Sequence, residues 1–144
     1  MSIDDSGIYN FRRLSPTLTT SGQPTEEQFA EIAAAGVETV INLALADSPK
    51  ALAHEAELLA SLGLNYIHIP VDFAAPTESD FQRFAEEMDK LGDAPVHVHC
   101  IANYRVSAFF YRYRREHGWS EDQARPDLGA LWQPEGVWAD FISR

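Results

Sequence analysis

Apolar and polar positions along this chain switch between helical and strand periodicity, and the switches mark the elements. Thr25-Glu26-Glu27-Gln28 carries a helix-start signature, and Phe29 and Ile32 then share a face before Gly36. Val37–Leu43 follows and reads as a buried strand. A second helix is predicted from Pro49, with Leu52, Leu59 and Leu62 on one face and Gly63 at its end, and Leu64–Val71 reads as the next strand. Thr77-Glu78-Ser79-Asp80 caps a third helix in which Phe81, Phe84, Met88 and Leu91 recur at helical spacing. The turn Gly92-Asp93-Ala94-Pro95 then leads into the strand Val96–Cys100.

Beyond Cys100, the residues Val106, Phe109, Phe110 and Tyr113 mark the apolar face of a fourth helix ending near Gly118. Arg112, Arg114 and Arg115 fall elsewhere on it and read as a solvated face. Ser120-Glu121-Asp122-Gln123 caps one more helix, which Pro126 is expected to cut short. Trp132, Trp138 and Phe141 are expected to tie the C-terminal segment down. Tyr9–Leu18, with Pro16, suggests edge strands or a hairpin. The resulting βαβαβα order predicts an α/β fold, a single domain over 1–144 with a central, mainly parallel sheet flanked by helices.

Composition narrows the function classes. At 144 residues and 45 % hydrophobic, the chain suffices for one core. Eleven basic against 22 acidic residues give a net charge of −11, which argues against nucleic acid or an anionic membrane as partner. No stretch is long and apolar enough to span a membrane, and Met1-Ser2-Ile3-Asp4-Asp5 is acidic without an apolar core, so a cytoplasmic protein is expected. A single cysteine excludes an internal disulfide and multi-cysteine zinc patterns, and it leaves no resolving thiol.

That cysteine, Cys100, lies between the apolar strand and the following helix, in the run His97-Val98-His99-Cys100-Ile101-Ala102-Asn103-Tyr104-Arg105-Val106-Ser107. Amides of a tight strand-to-helix turn converge on an anion, and a helix N-terminus favours both bound phosphate and ionised sulfur. Ile101, Ala102, Asn103, Tyr104, Arg105, Val106 and Ser107 are therefore the candidate oxyanion-binding set. Arg105 can offer two parallel N–H donors, a geometry lysine cannot reproduce. Ser107 can donate to the thiolate or satisfy the helix terminus, and His99 can order the loop backbone. Asp72, just past the C-terminal end of the strand Leu64–Val71, is the first candidate for a general acid, and Asp80 the second. The plainer readings make Cys100 a small core residue, Arg105 a surface charge and Asp72 a turn residue before Ala74-Ala75-Pro76. The loop context favours a functional Cys100.

At these residues the chain resembles the cysteine-dependent protein phosphatases, particularly the dual-specificity-like group. More closely, it is similar to the bacterial phosphatase-like family related to the domain fused to beta-lactamase-like hydrolases. The matching pieces are Ser21-Gly22-Gln23-Pro24, Gly36–Leu43, Ile69-Pro70-Val71-Asp72, the Val96–Ser107 loop and Trp132-Gln133-Pro134. The resemblance implies a protein tyrosine or dual-specificity phosphatase-like fold with Cys100 as nucleophile, Arg105 as oxyanion binder and Asp72 as general acid, and with Gln23 and Asn42 lining the site. One departure stands out. Active members place one residue more between cysteine and arginine than the four, Ile101–Tyr104, found here. Without a gap, Asn103 takes the usual glycine place and Val106 the arginine place; with a gap, the loop is shorter.

The function expected from this reading is cysteine-dependent hydrolysis of a phosphomonoester, on a phosphorylated small molecule or a phosphoprotein, without metal or cofactor. Two alternatives stay open: a rhodanese-like sulfurtransferase carrying a Cys100 persulfide from a sulfane-sulfur donor, favoured by a short loop, and a non-catalytic oxyanion- or phosphoprotein-binding module. His97 and His99 share a strand face and, with His68, raise the question of a metal site. No acidic residue lies at ligand spacing beside them, so none is expected.

Overall fold

The computed structural model of the protein describes residues 3–144; Met1 and Ser2, part of the acidic N-terminal stretch noted above, lie outside the described residues. A short 3₁₀ turn, Ile3–Asp5, precedes an antiparallel hairpin of β1 (Arg12–Ser15) and β2 (Leu18–Ser21), turned at Pro16-Thr17. The other strands are β3 (Thr39–Asn42), β4 (Asn65–His68) and β5 (Val96–His99). They form one sheet in the order β1-β2-β5-β3-β4, and every pairing except β1 with β2 is parallel. Registers align Ser21, His99, Asn42 and His68 in one row along the sheet's C-terminal edge. Ligands of such sheets bind outside that edge.

Alternation along β5 divides the core. Val96 and Val98 face one side, packed with Phe81, Phe84 and Met88 of α3 (Glu78–Leu91), Val106 and Phe109 of α4 (Tyr104–Glu116), and Trp138 and Phe141 of α6 (Val137–Ile142). Val40 on β3 faces the other side, against Phe29 and Ile32 of α1 (Glu26–Ala34) and Leu59 of α2 (Glu55–Ser61). Helices on both sides leave every residue of the central strands β3 and β5 buried. The C-terminal aromatics are tied down as expected: Trp138 and Phe141 are buried. No helix of the described residues is long and apolar enough to cross a membrane.

Three capping boxes start helices where the sequence predicts: Thr25 with Gln28, Thr77 with Asp80, and Ser120 with Gln123. Three other expectations are corrected. The second helix starts at Glu55 rather than Pro49, because His54 adopts a left-handed conformation (φ 62°) that breaks the helix before it. Pro126 does not end α5 (Glu121–Gly129), which continues to Gly129. Its missing N–H costs one bond near the helix start, and burial of Ala124 and Leu128 holds the remainder. Arg112 and Arg114 are buried rather than solvated. Arg112 lies over the rings of Phe81 and Phe141 (4.0 and 4.6 Å) and pairs with Glu78; Arg114 lies over Trp119 and pairs with Asp127 at 2.7 Å.

Candidate active site

Cys100 directly follows β5 at the centre of the sheet, its amide donating to Ser21 O (3.3 Å), and is buried at the start of the loop that leads into α4. The loop reverses at Asn103, whose φ of 68° is the left-handed value that glycine, or asparagine, supports. Asn103 thus does what the ungapped alignment assigns to it. Its Nδ2 donates to Asn10 O (2.9 Å) and Thr20 Oγ1 (3.0 Å).

Three successive loop carbonyls are each held by a donor outside the turn. His99 Nδ1 reaches Cys100 O (3.0 Å), the amide of Gln23 donates to Ile101 O (3.0 Å), and Asn10 Nδ2 donates to Ala102 O (2.9 Å). Gly22 has to be glycine for this, since a Cβ there would run into the Ile101 carbonyl. The amides of Ile101, Ala102 and Asn103 have no backbone acceptor among the described residues. Those of Tyr104, Arg105 and Val106 are the unpaired donors of the first helical turn. A row of free amides beside a thiol, at the N-terminus of a 13-residue helix, is a cradle for an oxyanion.

Arg105 is buried in that first turn. Its Nη1 donates to Val71 O at 2.8 Å and its guanidinium carbon lies 5.8 Å from the Phe73 ring centroid, which fastens α4 to the segment carrying Asp72. Asp72 itself is exposed, and its Oδ1 accepts from the amide of Ala74 (2.9 Å) to close a turn. Asp80 is not brought to the site: it is the reciprocal partner of Thr77 at the start of α3. Ser107 also differs from expectation. Its hydroxyl donates to Tyr104 O (2.9 Å) and accepts from the indole N–H of Trp132 (2.9 Å), so its proton is not directed at Cys100.

Aromatic rings border the loop, with Tyr104 stacked on Trp132 at 4.7 Å and the exposed Phe73 at 5.9 Å from Trp132. On another side a cavity of about 490 Å³ opens between Ile101, Gln23, Tyr9, Lys50, Glu26 and Glu27. The three strand histidines, His68, His97 and His99, are each hydrogen-bonded. His97 lies between Thr19 Oγ1 (2.7 Å) and Ser21 Oγ (2.8 Å), and His68 contacts Ala44 O (2.7 Å). No group of three or more His, Cys, Asp or Glu residues able to hold a metal ion occurs among the described residues.

Residues 9–133 match the family described as "DSP-PTPase phosphatase fused to NAD+ Kinase". The chain belongs to this phosphatase family. A DUF442 protein of Shewanella putrefaciens CN-32 is 34 % identical, superposes with a TM-score of 0.86 and is matched over 99 % of this chain and 95 % of its own. The catalytic core of the PP-IP phosphatase SIW14 from S. cerevisiae shares the fold, with a TM-score of 0.74 at 16 % identity over 94 % of this chain and 85 % of that one. The beta-lactamase hydrolase-like protein of Agrobacterium fabrum is 28 % identical over 102 residues, 68 % of this chain; the match spans 23 % of that relative's length. The phosphatase resemblance read from the sequence is thereby shown, as is the α/β fold, and family membership makes the chain a phosphatase-type enzyme.

Sequence reasoning missed two residues of this candidate site. Asn10 clamps the loop through Ala102 and Asn103, and Glu55 lies buried against His99 at 2.8 Å. Neither carries a local signal. Asn10 acts through its left-handed conformation (φ 51°) and a contact with a distant loop, and Glu55 looks like an ordinary first-turn helix acid.

Proposed function

We propose that the protein hydrolyses phosphomonoesters through a cysteinyl-phosphate intermediate. The observation that carries this reading is the loop itself: carbonyls of residues 100–102 held by outside donors, unpaired amides over residues 101–106, and the chain's single thiol at the base. The Cys100 thiolate attacks phosphorus in line with the ester oxygen, forming the S–P bond as the P–O bond breaks. Loop amides and the unpaired donors of Arg105 stabilise the equatorial oxygens of the transferring phosphoryl group. Asp72, on the segment Arg105 fastens, donates its proton to the departing oxygen. Water then attacks the cysteinyl phosphate and gives a proton back to the Asp72 carboxylate, forming a P–O bond as the S–P bond breaks, so that phosphate is released and the thiolate and the acid are restored.

The test is phosphate release from an aryl phosphate by the wild type and by Cys100→Ser. Turnover in the wild type alone supports the reading; equal background rates in both overturn it. A non-catalytic oxyanion-binding module is the second reading, supported by the engagement of Ser107 with Tyr104 and Trp132 and of Arg105 with Val71. It predicts a rise in Tm with tungstate or vanadate and no turnover.

A further inference from the structure

Beneath the cysteine loop, on the α1/α2 side of the sheet, five segments bring polar side chains together. Glu55, the first residue of α2, is buried, and its Oε2 lies 2.8 Å from His99 Nε2. Its Oε1 accepts from Gln23 Nε2 (2.9 Å), and the Tyr66 hydroxyl on β4 hydrogen-bonds to the carboxylate while accepting from Asn42 Nδ2 (2.9 Å). The other ring nitrogen of His99, Nδ1, faces Cys100 O at 3.0 Å.

Proton counting constrains this arrangement. A carbonyl only accepts, so Nδ1 carries a hydrogen; Nε2 then faces a carboxylate oxygen, which also only accepts unless it is protonated. A further proton therefore lies between His99 and Glu55. Burial alone would raise the Glu55 carboxyl, but hydrogen bonds from His99, Gln23 and Tyr66 bring it below its ordinary value. The other titratable groups near the pair are His97, two residues back on the same strand face, and Tyr66. From α1 the neighbour is the ring of Phe29, 5.6 Å from that of His99. His97 stays neutral, drawn down to about 3 by burial and then by the charge of His99. Burial is also the first cause of the raised Tyr66 hydroxyl.

We propose that Glu55 is a positioning residue for Cys100: by holding a proton on His99 it fixes the Cys100 peptide and keeps a cation at the base of the nucleophile loop. The imidazolium end of the pair is the end next to Cys100, so the thiolate gains from it more than it loses to the carboxylate behind. The inference rests on Cys100 acting as a thiolate, as proposed above, and it assigns to Glu55 a role acting through His99 and not on substrate.

The test reads the thiol directly. Alkylation of Cys100, the single cysteine, by iodoacetamide is followed by mass across a pH series in wild type, Glu55→Gln and Glu55→Asp. Glu55→Gln keeps the shape and removes the charge; its alkylation profile is expected about one unit toward higher pH, roughly tenfold slower on the rising limb, with Glu55→Asp in between. Superimposed wild-type and Glu55→Gln profiles would overturn the proposal. Should Glu55→Gln fail to fold, ¹⁵N spectra of the wild-type His99 ring at neutral pH decide: two protonated nitrogens support the proposal, and a neutral ring sinks it. Neither measurement uses a phosphoester. A wild type without turnover but with a Glu55-dependent profile rejects the phosphatase mechanism and keeps this inference, and turnover with a Glu55-independent profile does the reverse.

Discussion

Arg105 Nη1 donates to Val71 O at 2.8 Å, so a residue in the first turn of the helix after the cysteine grips the backbone directly before Asp72. One guanidinium thereby links the proposed nucleophile loop to the proposed acid, with donors left over for an oxyanion. Lysine cannot do both, since a single ammonium lacks the planar fork. Arg105→Lys and Arg105→Ala are each expected to lower kcat for an aryl phosphate by about 100-fold or more, with weaker vanadate binding. Steady-state rates and vanadate titration check this; wild-type rates in Arg105→Lys would remove Arg105 from the site.

Asn103 combines a backbone role with a side-chain role, and two substitutions separate them. Asn103→Gly keeps the left-handed φ of 68° and loses the bonds to Asn10 O and Thr20 Oγ1. Asn103→Ala loses the same bonds and also forces a Cβ residue into the left-handed region, which costs about 1 kcal/mol more. Urea unfolding should therefore rank wild type above Gly and Gly above Ala. Equal midpoints for the two variants would mean that the loop relaxes to another backbone path.

What was legible in the sequence was local. The capping boxes at Thr25, Thr77 and Ser120, the strand leading to Cys100 and the alternation of His97 with His99 are set by neighbours within a few positions, and each is found where expected. What was not legible depends on partners brought in by the fold. Glu55 meets His99 across 44 residues, and Arg112 meets Glu78 across 34. Neither burial leaves a trace in the spacing around those residues. The helix through Pro126 belongs to the same class, since packing against α4 outweighs a local preference to stop.

Ser107 and Trp132 form a second tie across the loop. The indole N–H donates to Ser107 Oγ at 2.9 Å while the Trp132 ring stacks on Tyr104 at 4.7 Å. Trp132→Phe keeps an aromatic stack and removes the donor, and Ser107→Ala removes the acceptor; each is expected to cost about 1 kcal/mol. The double variant should cost less than the sum, because both single changes break the same bond. Phosphatase rates should fall less than about tenfold in Ser107→Ala, since its proton is committed to Tyr104 O. A loss as large as that expected for Arg105 would show the hydroxyl acting on the thiolate instead.

Acid should destabilise the protein in two separable stages. His97 is buried between Thr19 and Ser21, and burial, helped by the charge of His99, lowers it from 6.5 to about 3. Between those values the unfolded chain binds a proton that the native state does not, so stability falls as pH drops through that window. Glu78 behaves differently because Arg112, and then Arg144, hydrogen-bond its carboxylate and lower it from 4.5 to about 2. Its contribution is complete above 4.5 and is lost only as pH falls toward 2. Urea midpoints for the wild type should therefore begin to drop below about pH 6.5, before any carboxylate titrates. His97→Gln, which retains polar atoms for Thr19 and Ser21, should remove that first stage and keep the second; Glu78→Gln should keep the first and weaken the second. Parallel wild-type and His97→Gln curves would show that a group other than His97 governs the onset.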